Sequence, residues 1–201
     1  DGKMRLNGTE IKNTSARSAM HNGISLVPED RKGQGLVLIQ TILKNISLPN
    51  LDRFASFFRI NGDAELAESN KQAKALSIKA PNLQIPVDQL SGGNQQKVVI
   101  AKWLHRDCDI LIFDEPTRGI DIGARVEIYR VLRDLAAGGK AILLVSSDLK
   151  ELMAVCNRIL VMSAGRVAVT FRRDSWSQEA IMNAAFSGYV QTSGGAAAHE
   201  R

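Results

Sequence analysis

Two short runs carry residue types suited to chemistry. The first is Ser91-Gly92-Gly93, inside LSGGNQQKV over Leu90 to Val98. Serine is a favoured helix N-cap, the glycines remove Cβ atoms that would keep an anion away from the first backbone N–H groups, and the positive end of the helix dipole stands behind them. Such a turn suits a terminal phosphate. The second run is Asp114-Glu115, which closes the apolar tetrad Ile110-Leu111-Ile112-Phe113 and is followed by Pro116. One carboxylate at a strand end can take an oxygen position on hydrated Mg²⁺, and its neighbour can orient or deprotonate an attacking water. Alone, the first is an ordinary helix start and the second a capped strand end. Together, at this interval, they point to nucleotide chemistry.

The elements that must position these residues alternate between strand and helix. The near-continuous apolar run Asp109 to Phe113 predicts a parallel strand covered on both faces, and ligands gather at the carboxyl ends of such strands. Ile128, Val131, Leu132 and Leu135 repeat at helical spacing and stop at Gly138-Gly139. Ala141 to Val145 is the next buried strand, and Asp148 with Glu151 predicts a capping box at the start of a helix striped by Leu149, Leu152, Met153 and Cys156. Upstream, Asn7-Gly8 marks a hairpin between Lys3 to Leu6 and Thr9 to Ile11, and Ser15 to His21 forms a short helix stopped near Gly23.

The polar turn Asp30 to Gly33 leads into a mainly helical insert over residues 40–104. Inside it, Asp63 to Lys79 is expected to be a solvated helix whose buried stripe is Leu66, Ala73 and Leu76, and Phe57-Phe58 is assigned to the core. Arg158 to Met162 and Arg166 to Phe171 form a hairpin around Ser163-Ala164-Gly165. Ser177 to Phe186 is the last helix, and the Gly- and Ala-rich stretch from Thr192 to Arg201 is expected to be disordered.

Composition sets limits. A chain of 201 residues, 44% apolar, can bury a real core. Cys108 and Cys156 form no C-x-x-C pair and read as reduced thiols of a cytosolic protein. His21, His105 and His199 are too dispersed to suggest a metal site. No apolar run is long enough to cross a bilayer, so membrane association is expected through a partner.

LSGGNQQ resembles the signature motif of the ATP-binding cassette family, LIFDEP its Walker B strand with the adjoining glutamate, and Gly119-Ile120-Asp121 its D-loop. The wording LSGGNQQKV followed by DEPTRGIDIGA is similar to the second cassette of the duplicated ATPases of bacterial ribose, xylose and galactose importers. The resemblance runs from Asp1 to about Tyr189. It implies an α/β fold, a P-loop NTPase-like cassette with a helical subdomain over 40–104, in a partial ATPase domain over 1–190 followed by a flexible tail over 191–201. It implies ATP and Mg²⁺ as ligands, Glu115 as the catalytic carboxylate and Asp114 as the Mg²⁺ ligand, with Glu29 as a possible second. Because two cassettes of this family pack head to tail, Ser91, Gly92, Gly93 and Gln95 would complete a partner's nucleotide site in trans.

Departures from the family pattern matter as much. No G-x-x-x-x-G-K-[ST] occurs in the sequence, so the loop that cradles the α and β phosphates is missing. The chain opens on Asp1, and Asp1 to Ile11 resembles the strands that follow that loop. The sequence therefore reads as a fragment with its N-terminal strands and Walker A truncated. Glu29 stands at the Q-loop position, where cassettes carry glutamine, and Ser147 at the H-switch position, where they carry histidine. Serine supplies no imidazole. Both changes suggest a home site that hydrolyses poorly.

The implied partners are a second cassette on the same full-length chain, integral membrane permease subunits met by the helical insert and the Glu29 to Gly35 loop, and, indirectly, a periplasmic sugar-binding protein. The implied location is the cytoplasmic face of the inner membrane. A second reading is a nucleic-acid ATPase, drawing on the net charge of +5 and on Arg5, Lys12, Arg31, Lys32, Arg172 and Arg173. These charges are scattered among acids and aromatics are only 5% of residues, so no nucleic acid is expected. A third reading is a catalytically inactive structural cassette. An upstream phosphate loop with or without its lysine separates that reading from a working one.

Overall fold

The computed structural model describes residues 2–56 and 59–195. The expected core assignment of Phe57-Phe58 and the last residues of the expected tail, 196–201, lie outside them. The backbone divides after Val145 into two compact units.

The first unit opens with the expected hairpin. β1 (Met4–Leu6) and β2 (Thr9–Ile11) pair antiparallel across Asn7 and Gly8, both at positive φ, the conformation a two-residue turn needs. α1 (Ala16–His21) is capped by Ser15, whose side chain accepts from the Ser18 N–H while the Ser18 hydroxyl oxygen accepts from the Ser15 N–H. β3 (Ile24–Val27) follows, and the chain then makes one wide turn, Arg31–Gly35, whose Lys32 and Gly33 N–H groups donate to the Asp30 carboxylate.

From residue 40 to 104 the structure is mainly helical. α2 (Ile42–Ser47), capped by Thr41, is buried along almost its whole length. A short antiparallel ladder of β4 (Ala55–Ser56) and β5 (Arg59–Ile60) precedes α3 (Gly62–Ala75). The buried stripe of α3 is Glu65, Ser69 and Ala73, continued by Leu76, while Leu66 is only half-buried. The expectation of an apolar stripe fails at Glu65 because α2 supplies partners for its carboxylate. Lys44 Nζ donates to both oxygens at 2.9 and 3.1 Å and the Ser47 hydroxyl at 2.6 Å. α4 (Gly92–His105) then crosses back toward the sheet, with Val98, Val99, Ile100 and Ala101 fully buried.

β6 (Ile110–Asp114) is the central strand, parallel to β3 on one side and to β7 (Ala141–Val145) on the other. Leu111 and Phe113 are fully buried on one face. The other face is open among the described residues, with Leu26, Ile112 and Leu143 in one register row and Leu26 and Leu143 about half exposed. Within this chain the apolar run covers one face, and the second lies open among the described residues. Between β6 and β7, α5 (Ile122–Ala137) buries Ile128 and Leu132 as expected and ends at Gly138, ahead of Gly139 at φ +90°.

In the second unit, Asp148 caps α6 (Leu149–Val155) by accepting from the Lys150 and Glu151 N–H groups. Glu151 is buried and reaches back to the Ser146 hydroxyl, which itself accepts from the Asp148 N–H, so serine relays this capping box. β8 (Arg158–Ser163) and β9 (Arg166–Arg172) form the expected hairpin, with a register shift at Val161/Met162. α7 (Gln178–Gly195) buries Ile181 against Ile159 and Val161 and runs past Phe186, into the stretch expected to be disordered. Gly188 allows the crossing, because a Cβ there would meet Ser163 Oγ and Ala164 Cβ at 3.0 Å. No helix among the described residues is long and apolar enough to cross a membrane.

Candidate functional site

Ser91 occupies the N-cap of α4 in extended backbone conformation, and its carbonyl accepts from the Gln95 N–H at 2.9 Å. Its hydroxyl makes no capping bond; it accepts from the Asn94 side-chain amide at 3.0 Å. The first amides of the helix are therefore not consumed by their own cap. The glycines have a further purpose beyond clearing space for an anion. A Cβ on Gly93 would lie 2.5 Å from Ala124 Cβ, and one on Gly92 would lie 2.9 Å from an Arg31 terminal nitrogen and 3.6 Å from the Gly119 carbonyl oxygen. Glycine lets the start of α4 pack directly on the start of α5.

Two helix N-termini thus open onto one crevice of about 250 Å³, with Ser91, Gly93, Asn94 and Lys79 on its α4 side and Gly123 and Glu127 on its α5 side. Asp121 caps α5 at the same place, accepting from the Ala124 N–H at 2.9 Å. Glu127 is held by Lys97, fully buried on α4, at 2.6 Å, and the hydrogen bond from that ammonium pulls the Glu127 carboxyl below its usual range. Lys97 also donates to the Ser77 carbonyl at 3.0 Å. The α5 end is thus already met by Asp121, and the groups left to face an anion are Lys79 and the uncapped start of α4.

Of the residues expected in this turn, Gln95 does not line the crevice. It is buried, and its side-chain nitrogen donates inward to the Leu90 and Val87 carbonyls at 3.1 and 3.4 Å. The reason is helical geometry: Gln95 follows Asn94 by about 100°, which turns it from the mouth to the core. Asn94 takes the place on the crevice, and its position three residues after an N-cap serine was the signal available for it.

Glu29 is exposed and its carboxylate pairs with the Arg118 guanidinium. The same loop is held a second way, by Arg31, whose guanidinium donates to the Arg118 and Gly119 carbonyls at 3.0 and 3.5 Å. Lys102 of α4 donates to the Gly35 carbonyl at 3.0 Å and Val99 packs against Gly35. The turn after β3 therefore braces α4 against the loop that leads to Asp121. With Arg118 on it, Glu29 is a poor candidate for a metal ligand.

Asp114 ends β6, half-buried and in register with Val145. Glu115 follows at φ +45°, a left-handed conformation costly for a residue with a side chain, and it is held there by its N–H bond to the Val145 carbonyl at 2.9 Å and by its own carbonyl accepting from the Arg118 N–H at 3.1 Å. Ser147 is the second residue of the second unit, one residue before the Asp148 cap.

The donor set fits Mg²⁺ in a limited sense. Asp114 and Glu115 offer hard oxygen ligands, while among the described residues no cluster of three or more His, Cys, Asp or Glu side chains is assembled. That suits an ion which keeps most of its shell as water and phosphate. It does not provide a closed cage. For ATP, this chain offers phosphate donors at the start of α4 and no lysine-bearing phosphate loop.

Comparison with known proteins gives this geometry a family. The family model described as ABC transporter matches residues 1–118. The chain is 45% identical over 181 residues to an L-arabinose transport ATP-binding protein of Geobacillus stearothermophilus, covering 90% of the chain and 35% of that relative. It is 44% identical over 188 residues to a xylose import ATP-binding protein of Thermoanaerobacter pseudethanolicus, covering 94% of the chain and 37% of the relative. The chain thus spans little more than a third of the length of these relatives. Among solved structures it is similar to the ADP conformation of an ATP-binding cassette of an ABC transporter, with TM-score 0.73, 18% identity and coverage of 96% of this chain and 76% of that one. A dimeric post-hydrolysis cassette bound to ADP and Pi matches with TM-score 0.70 and 19% identity, over 88% and 75% of the two chains. The motifs, the fold and the family match agree, and the chain belongs to the ABC transporter family.

Proposed function

We propose that this chain is part of the ATP-hydrolysing subunit that energises carbohydrate import, and that its α4 turn completes an ATP site gripped by a second cassette. Support for the substrate class comes from relatives named for arabinose and xylose import. The observation that carries the trans reading is the start of α4, where Ser91 withholds its hydroxyl from capping and Gly93 seats that turn beside a second helix N-terminus.

Mg²⁺-ATP supplies the phosphoryl group when bound. The Ser91 O–H and the first α4 amides donate to phosphate oxygen, where preorganised dipoles are worth most. Asp114 offers an oxygen to the metal, and Glu115, fixed by its backbone bonds, accepts a proton from or orients a water. Glu29, engaged by Arg118, and Ser147, without an imidazole, make the home site the weaker of two. The subunit sits peripherally on the cytoplasmic face of the inner membrane, bound to integral permease subunits that receive sugar from a periplasmic binding protein. Two of the basic residues that would serve a nucleic-acid reading, Arg31 and Arg173, donate to backbone carbonyls, which weakens that reading.

ATP turnover by the full-length protein with its membrane partner tests this division. Gly92→Asp should abolish turnover and Glu115→Gln should reduce it less. Equal losses would refute it.

A further inference from the structure

We infer that Asn94 is a positioning residue for ATP turnover: it orients the Ser91 hydroxyl so that its proton is presented to phosphate, an assignment that rests on the trans site proposed above. The geometry of the amide is settled by its neighbours. Asn94 Oδ1 accepts from the Lys79 backbone N–H at 2.9 Å, and a backbone N–H can only donate, so the oxygen and not the nitrogen faces Lys79. The Asn94 side-chain nitrogen must then face Ser91, and it donates to Ser91 Oγ at 3.0 Å. A hydroxyl has one proton and two lone pairs. With an N–H directed into one lone pair, the Ser91 proton turns away from Asn94 and is free to donate to an anion at the crevice that both residues line.

A carboxylate at position 94 inverts this logic with almost no change of shape. It keeps the acceptor for the Lys79 N–H, but it has no N–H to offer, so the serine proton turns inward to the new carboxylate. It also adds negative charge to the first turn of α4, where the helix dipole favours it. Stability and turnover should therefore move in opposite directions, which a residue with a purely structural role would not produce.

The test uses the full-length protein with its membrane partner and compares Asn94→Asp, Asn94→Ala, Ser91→Ala and the double Ser91→Ala/Asn94→Ala. Asn94→Asp should leave the melting temperature and ADP binding unchanged or improved while ATP turnover falls by at least about tenfold, the size expected for loss of one hydrogen bond to a charged group. Asn94→Ala should add nothing to the loss already caused by Ser91→Ala, because one residue acts through the other. Wild-type turnover in Asn94→Asp, multiplied losses in the double variant, or a melting temperature that falls in step with turnover would each overturn the assignment. If Ser91→Ala and Gly92→Asp both keep full turnover, the trans site itself is wrong. If they lose turnover and the Asn94 variants do not, only the role of Asn94 falls.

Discussion

The start of α4 and the end of β6 are built on opposite chemical plans. At α4 the useful groups are donors, backbone amides and one hydroxyl, and glycine brings them together by letting one helix end lie on another. At β6 they are acceptors, two adjacent carboxylates, and a strained backbone angle at Glu115 aims the second of them. The donor end depends on close packing and is sensitive to a single added carbon. The acceptor end depends on charge and tolerates changes of volume better than changes of polarity. A chain with both ends can face phosphate with one and metal with the other.

The most severe way to break the donor end is Gly93→Val. Its Cβ would meet Ala124 Cβ at 2.5 Å, so α4 must move off α5. Turnover of the full-length protein should disappear, and urea denaturation should show about 1–3 kcal/mol lost to overpacking. Retained turnover would mean that the two helix ends need not touch.

The link between those helices should be asymmetric. Glu127→Gln leaves the fully buried Lys97 ammonium without its carboxylate and should cost about 3 kcal/mol. Lys97→Met leaves only a half-exposed carboxylate that water can reach and a Ser77 carbonyl without its donor, and should cost about 1 kcal/mol. Equal costs in chemical denaturation would show that Lys97 is less desolvated than its burial indicates.

Arg31 ties the donor end to the loop between Glu115 and Asp121. Arg31→Ala should lower turnover about tenfold, and Arg31→Lys, which keeps the charge but loses the two-pronged donor, should recover only part of it. Full recovery by lysine would reduce the brace to simple charge.

The smallest expected effect lies at the far end of α4 and serves as a control. His105 is fully buried against Phe54, neither ring nitrogen has a hydrogen-bond partner among the described residues, and burial pushes its pKa down, partly opposed by Glu68 and Glu65. Its folded pKa lies below the unfolded one, so the unfolded chain takes up the proton first. Stability should be full above about pH 6.5 and fall as pH drops toward the folded value. His105→Phe should remove that loss, seen as a urea midpoint that changes less between pH 7.5 and pH 5, and leave ATP turnover alone.

Much of this was legible in the residues. Asn7-Gly8, the Asp148 cap and the Gly138-Gly139 stop are local signals whose meaning does not depend on distant partners. Where tertiary contact decides, the sequence misleads. Glu65 reads as a surface acid until α2 brings Lys44 and Ser47 to it. At the candidate site, the spacing located Ser91, Gly92 and Gly93 at the head of α4, but it could not show that Gln95 turns inward while Asn94 faces the crevice. Nor could it show that Arg118 occupies Glu29, since that pair joins residues far apart in the chain.

The central claim is that the head of α4 donates to a nucleotide held by another cassette. A structure of the assembled full-length transporter trapped with ATP and Mg²⁺ tests it most directly. Ser91 Oγ and the amide nitrogens of the following glycines should lie within about 3 Å of terminal-phosphate oxygens. That turn facing solvent or a membrane subunit, with ATP bound elsewhere, would contradict it.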